Sequence, residues 1–159
     1  PDVPVHEDRA KGAKAGVASE FGLSEDNMFD VPSGSIGEDY VNALDWLTAN
    51  PGYENVLCFG HSDQPGIDCT NAIEASGYTP ANAAVASLGA SGEALTELRQ
   101  RSADDSVFRG TISFFPERYG QWIVPALVDV LEGKKVPDRV IPSVSPVTRD
   151  NVDALYPEE

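Results

Sequence analysis

The sequence predicts an α/β fold, a mainly parallel sheet flanked by helices, on two observations. Three short apolar runs, 55–59, 83–88 and 111–115, are each followed by a helical pattern, over 65–76, 92–99 and 116–132. Parallel strands need crossover connections and helices supply them, so three successive strand–helix units imply a parallel sheet with helices on its faces. The second observation is size: 159 residues, 41% of them hydrophobic, suffice for one core and predict one unit over 1–159. No internal repeat, low-complexity tract or heptad pattern breaks the chain.

In order along the chain, the Ala- and Lys-rich segment 8–21 predicts a first helix, ended by Gly22. Residues 28–31 read as a short strand and 32–37 as a turn-rich loop. Tyr40, Val41, Leu44, Trp46 and Leu47 lie near helical spacing and predict a helix over 38–49, stopped by Asn50-Pro51-Gly52. The three strand–helix units follow, the helix at 65–76 ending at Gly77. The last of them places Pro116 at helix position N1, Ile123, Leu127, Val130 and Leu131 on the helix, and Gly133 as its C-terminal cap. The tail 140–147 alternates apolar residues with Pro and Ser, and Pro142 and Pro146 place it at a sheet edge or hinge.

Net charge is −15, from 26 acidic against 11 basic residues, which argues against nucleic acid or an anionic membrane surface as a partner. The acidity reads as solubility or salt adaptation, or else as a docking face for a basic partner. No apolar run approaches the ~20 residues of a membrane span. No signal peptide opens the sequence, and Pro1-Asp2-Val3-Pro4 looks like the interior of a longer or trimmed protein. Cys58 lies in an apolar strand and Cys69 in the helix after it. A bridge between them requires close Cα atoms, and two buried free thiols are the expected state. The cysteines lack metal-ligand spacing and the only histidines are His6 and His61, so neither a metal nor a cofactor is expected.

Open parallel sheets bind ligands at the carboxyl ends of their strands. The loops there, 32–37, 60–64, 89–92 and 115–117, are small, polar or aromatic, which suits a neutral polyhydroxyl ligand, although each also serves as a tight turn. Asp63 reads as a ligand contact or as an aspartate of the helix N-terminus. Gly60-His61-Ser62-Asp63-Gln64 resembles a nucleophile elbow, but Gln64 replaces the second glycine and no histidine follows His61, so catalysis is not expected. Gly89-Ala90-Ser91-Gly92 opens a helix but matches no phosphate-binding motif and has no basic support, which argues against nucleotides. The acidic pairs Glu25-Asp26, Asp104-Asp105 and Glu158-Glu159 read as solvated, and Tyr119 and Trp122 as packing in a core or interface.

Gly110-Thr-Ile-Ser-Phe-Phe-Pro-Glu-Arg-Tyr-Gly120, the helix running on to Gly133, and the ending Val147-Thr-Arg-Asp-Asn-Val-Asp-Ala-Leu-Tyr-Pro157 closely resemble the C-terminal part of type I periplasmic sugar-binding proteins. The resemblance, to the ribose-binding-protein-like receptors of ABC importers, covers most of 46–157 and is strongest from Phe108. It implies one lobe of such a receptor, non-enzymatic, binding a small sugar or polyol, working with an ABC permease, and periplasmic or extracellular. Ser62 stands where these receptors commonly carry a sugar-binding Asn, with Asp63 retained beside it. Ser87 and Gly89 are nearest to a family Asp, and Phe114 is near a family amide. The resemblance therefore implies ligand contacts from Ser62, Asp63, Gln64, Ser87 and Gly89, with Phe114 or Phe115 as a stacking wall. Family members place another helix and strand, bringing a sugar-binding Arg, between segments like 28–35 and 40–51. Their helix after Pro116 packs on the other lobe, so the apolar face of 116–133 is expected to meet an N-terminal lobe, an exchanged segment or a second copy. The alternative functions are a non-catalytic interaction module and the ligand-sensing domain of a transcriptional regulator of the same fold.

Overall fold

A computed structural model describes residues 4–35 and 37–158. The sheet is built from β1 (Val56–Phe59), β2 (Ala83–Leu88), β3 (Phe108–Ser113) and β4 (Ser145–Val147), in that spatial order. The first three strands are parallel and β4 is antiparallel to β3. Helices α3 (Asp63–Ala75) and α4 (Gly92–Gln100) make the crossovers. Helix α2 (Glu38–Ala49) packs on α3, and the short α6 (Val152–Leu155) packs on α4. The expected α/β architecture with a mainly parallel sheet is the observed one.

The core lies between the sheet and this helical layer. Val85, Phe108 and Val147 from the strands meet Ala72 and Ile73 of α3, Ala94 and Leu98 of α4, and Val152 of α6. A β-bulge sets the inward face of β3: Val85 pairs with Phe108 but Ala86 pairs with Gly110, so Arg109 is the extra residue. Phe108, Thr111 and Ser113 are consequently buried together, and Thr111 lies beside Ser87 of β2. Gly110 is required for a different reason, because a Cβ there would come within 2.6 Å of the Val147 carbonyl oxygen and push β4 away.

Several expectations are corrected. Residues 28–31 form no strand; a 3-10 turn at Glu25–Asn27 precedes them, and Phe29 packs on Trp46 and Tyr53 at ring distances of 5.2 and 5.7 Å. An isolated apolar run with no neighbouring strand instead lays Phe29 against this aromatic pair at the surface, where it stays 45% exposed. The first helix, α1 (Pro4–Phe21), starts before the expected residue 8 and takes in His6. The third strand is 108–113 rather than 111–115: Phe115 adopts the left-handed conformation (φ 49°) and cannot extend a strand, whereas Phe108 pairs with Val85. Pro116 opens a 3-10 turn, Pro116–Arg118, and the helix proper is α5 (Gly120–Leu131). Its end matches expectation: Gly133 is left-handed (φ 71°), its N–H reaches Val130 O, and the Lys134 N–H reaches Asp129 O, a Schellman cap. Residues 145–147 of the tail do form an edge strand.

Cys58 and Cys69 are not free thiols but a disulfide. Helix α3 folds back over β1, which turns its second turn toward the strand and brings the two side chains together.

Candidate functional site

The carboxyl ends of β1, β2 and β3 open onto three loops, 60–62, 89–91 and 114–115, and one buried carboxylate ties the first two together. Asp63, in the first turn of α3, is 3% exposed. Its Oδ1 accepts from the Ser87 hydroxyl (2.5 Å) and the Thr111 hydroxyl (2.6 Å), and its Oδ2 accepts from the Ser91 backbone N–H (2.5 Å). Thr111 Oγ1 in turn accepts from the Ala90 N–H at 3.2 Å. This explains how Ala90 is held left-handed (φ 58°): both amides flanking that turn end on the Asp63–Thr111 hub. Gly89 completes the arrangement, since it has φ 147° and a Cβ there would meet Asp63 Oδ2 at 2.7 Å.

Of the residues expected to contact ligand, Ser62, Asp63, Ser87 and Gly89 are thus brought together, but Asp63 and Ser87 face inward and spend their polar atoms on each other and on the loops. Ser62 is the N-cap residue of α3 with no capping bond, and its half-buried hydroxyl lies 3.2 Å from His61 Nδ1. Gln64 turns along the helix and donates from Nε2 to Asp68 Oδ1 (3.1 Å). Phe114 is half-buried beside Tyr119. Phe115 diverges from it: its ring is buried, stacked on Tyr156 and covered by the Arg118 guanidinium 4.2 Å from its centre.

The amino-terminal half of α1 lies over this edge. His6 stacks on His61 with ring centres 4.1 Å apart, Arg9 Nη1 donates to the His61 carbonyl (3.0 Å), and the Arg9 guanidinium lies 5.7 Å from the Phe114 ring centre. His61 Nε2 is 3.1 Å from the Ser33 hydroxyl, so Ser33 closes the fourth side. Burial first, then the adjacent His6 and Arg9, hold the His61 imidazole below the usual histidine range, with Asp39 opposing them. Behind the loop Asp68 is buried with Oδ2 unpartnered, and desolvation pushes its carboxyl above the usual aspartate range. Sequence reasoning missed Arg9, His6 and Thr111. Thr111 left a signal, a hydroxyl residue beside Ser87 on the inward side of adjacent strands; Arg9 and His6 left none, because nothing local says where an Ala-rich helix docks.

Chemically the edge offers a guanidinium, an imidazole held below the usual histidine range, the Ser62 hydroxyl paired with it and an aromatic face; the His61–Ser62 neighbours are the nucleophile–base pair found there among the described residues. Among the described residues no group of three or more His, Cys, Asp or Glu is placed to hold a metal ion. No helix of the described residues is long and apolar enough to cross a membrane.

The sequence matches no protein-family model and no curated protein. In fold the chain is similar to a solute-binding protein of an ABC transporter from Agrobacterium vitis with bound α-D-tagatopyranose: TM-score 0.74, 17% identity, 92% of this chain and 46% of that one. It is similar also to a periplasmic ribose ABC transporter protein from Conexibacter woesei (TM-score 0.72, 19% identity, 94% and 48%). A third is a solute-binding protein from Mycobacterium smegmatis with bound glycerol (TM-score 0.72, 17% identity, 96% and 50%). The chain spans about half the length of the structures it matches. Its α/β architecture is that of one lobe of such solute-binding proteins.

Proposed function

We propose that this chain forms the sugar- or polyol-binding face of one lobe of an ABC-importer receptor, a non-enzymatic, periplasmic or extracellular protein read by an ABC permease. The observation that carries the reading is the carboxyl edge of the sheet, where a buried hub fixes loops whose outward groups suit a polyhydroxyl ligand. Arg9 donates to ring hydroxyls, the Ser62 hydroxyl and His61 imidazole exchange hydrogen bonds with them, and Phe114 packs against the apolar face of the ring. Asp63, Ser87 and Gly89 shape the loops, Phe115 anchors the β3 exit, and Gln64 reaches ligand by leaving Asp68. The similar folds that hold tagatose and glycerol support this ligand class, and the disulfide suits an oxidising compartment.

A second reading, a non-catalytic interaction module, is favoured by one observation: α5 has no buried residue and bears Ile123, Val124, Leu127 and Leu131 in the open. In either reading, residues 116–133 are the face that meets an N-terminal lobe or a second copy.

Calorimetric titration of the chain with pentoses, hexoses and polyols tests the proposal. Saturable heat with one sugar, weakened about tenfold or more by Phe114→Ala or Arg9→Ala, is expected. A folded chain that gives no heat with any of them shifts the reading to the interaction module.

A further inference from the structure

The Cys58–Cys69 disulfide encloses residues 59–68, and that segment contains His61, Ser62, Asp63 and Gln64. One sulfur is on β1 and the other on the second turn of α3, so the bond ties the helix to the strand on either side of the loop. The loop sits where it does only if α3 is held close. A Cβ on Gly60 would lie 2.4 Å from the Gly66 N, and one on Gly66 would lie 2.6 Å from the Ser87 Cβ. The helix start is therefore in direct backbone contact with the strand ends.

What holds α3 in that position is unevenly distributed along it. Its buried apolar residues, Ala72 and Ile73, are in the far half, where they join the core. The buried positions of its first two turns are Asp63, Gly66, Asp68 and Thr70, with half-buried Ile67 and the bridged Cys69 as apolar contacts to the core. Glycine and polar groups gain little from leaving water, and Asp68 loses by it, with one oxygen unpartnered. Hydrophobic packing thus secures the carboxyl half of α3, while the amino half depends on the Asp63 hub and the disulfide.

We propose that the Cys58–Cys69 disulfide is a redox-sensitive clamp on loop 60–64, so that its reduction loosens the amino half of α3 and weakens ligand binding without unfolding the sheet. The step is a thiol–disulfide exchange: a dithiol reductant gives two electrons and two protons, the S–S bond becomes two thiols, and the dithiol closes to its own disulfide. Closing so short a loop also removes entropy from the loosened state, which favours the seated one. This rests on the receptor reading above for the ligand, but not for the loosening.

The test compares the oxidised chain, the chain reduced with dithiothreitol, and the Cys58→Ser/Cys69→Ser variant, by amide hydrogen exchange and by titration with the sugar that the oxidised chain binds. Reduction is expected to speed exchange roughly tenfold within 60–68 while 83–88 and 108–113 keep their protection, and reoxidation to restore it. If about one reduced molecule in ten holds the loop seated, sugar affinity falls about tenfold. Unchanged exchange in 60–68, or acceleration of all segments together as in global unfolding, overturns the clamp. So does sugar affinity indifferent to reduction. Should the oxidised chain bind no sugar, the receptor reading fails, and the exchange pattern alone decides whether the disulfide clamps the loop.

Discussion

Two buried aspartates five positions apart on α3 have opposite energetic characters. Asp63 has three short hydrogen bonds from two hydroxyls and a backbone amide, so its burial is compensated, and removing it strands all three donors. Asp63→Ala is expected to lower stability by about 3 kcal/mol or more, read as a fall in the urea midpoint. Asp68 has one bond, from Gln64, and a bare Oδ2. Its carboxyl is raised above 3.8 by burial, so its ionised form costs stability above the folded pKa, and the cost disappears as pH falls toward 3.8. Asp68→Asn is expected to stabilise the chain by about 1 kcal/mol at neutral pH, with no gain in acid below the ordinary aspartate value. His61 acts in the contrary direction. Its folded pKa lies below 6.5, so the unfolded chain takes the proton first, and stability falls as pH drops from 6.5 to the folded value. Urea midpoints of the parent chain and His61→Asn should therefore coincide in slope above 6.5 and diverge below it, the parent declining more steeply.

At the level of elements, what the sequence disclosed depended on whether the signal was local. The strand–helix alternation, the caps at Gly22, Gly77 and Gly133, and the helix at 38–49 are local, and each is present in the fold, the third strand and the helix after it with shifted bounds. The strand at 28–31 did not form because a strand needs a neighbour, which four residues cannot specify. The shift of β3 to 108–113 follows from a bulge at Arg109 and a left-handed Phe115, both tertiary in origin. The same division runs through the site. The alternation placed the loops 60–64 and 89–92 at the strand ends, and the family resemblance singled out Ser62, Asp63, Ser87 and Gly89; that Asp63 and Ser87 face inward was not legible, since orientation depends on which hydroxyls the neighbouring strands present. Gly110 makes the dependence on a neighbour testable. Its missing Cβ leaves room for the Val147 carbonyl, so Gly110→Ala should displace β4 and cost about 1–3 kcal/mol. Limited proteolysis should then cut near 140–147 in the variant faster than in the parent chain.

At the scale of the whole molecule, the helical layer covers one face of the sheet and leaves apolar surface elsewhere. Leu57 is 53% exposed on β1, and α5 packs against little besides its own 3-10 lead-in. Ile123, Val124, Leu127 and Leu131 fall on one side of α5, with Leu131 87% exposed, a stripe of the kind that is normally covered. The charge of −15 acts against association of like copies, because every approach brings acidic surfaces together. Apolar attraction and electrostatic repulsion respond differently to salt: screening weakens the second and leaves the first. Self-association through α5 should therefore strengthen as salt rises, the reverse of what an ion-paired interface would do. Sedimentation of the chain at about 50 mM and about 500 mM salt should show a larger weight-average mass at the higher value, where the Debye length is about 4 Å. Leu127→Glu should remove the increase and change the stability read from urea unfolding by no more than about 0.5 kcal/mol, since α5 contributes no buried residue to the core. A monomer at both salt concentrations would mean that the stripe is reserved for an N-terminal lobe rather than a second copy, and adding such a lobe as a separate polypeptide should then produce a one-to-one complex that Leu127→Glu disrupts.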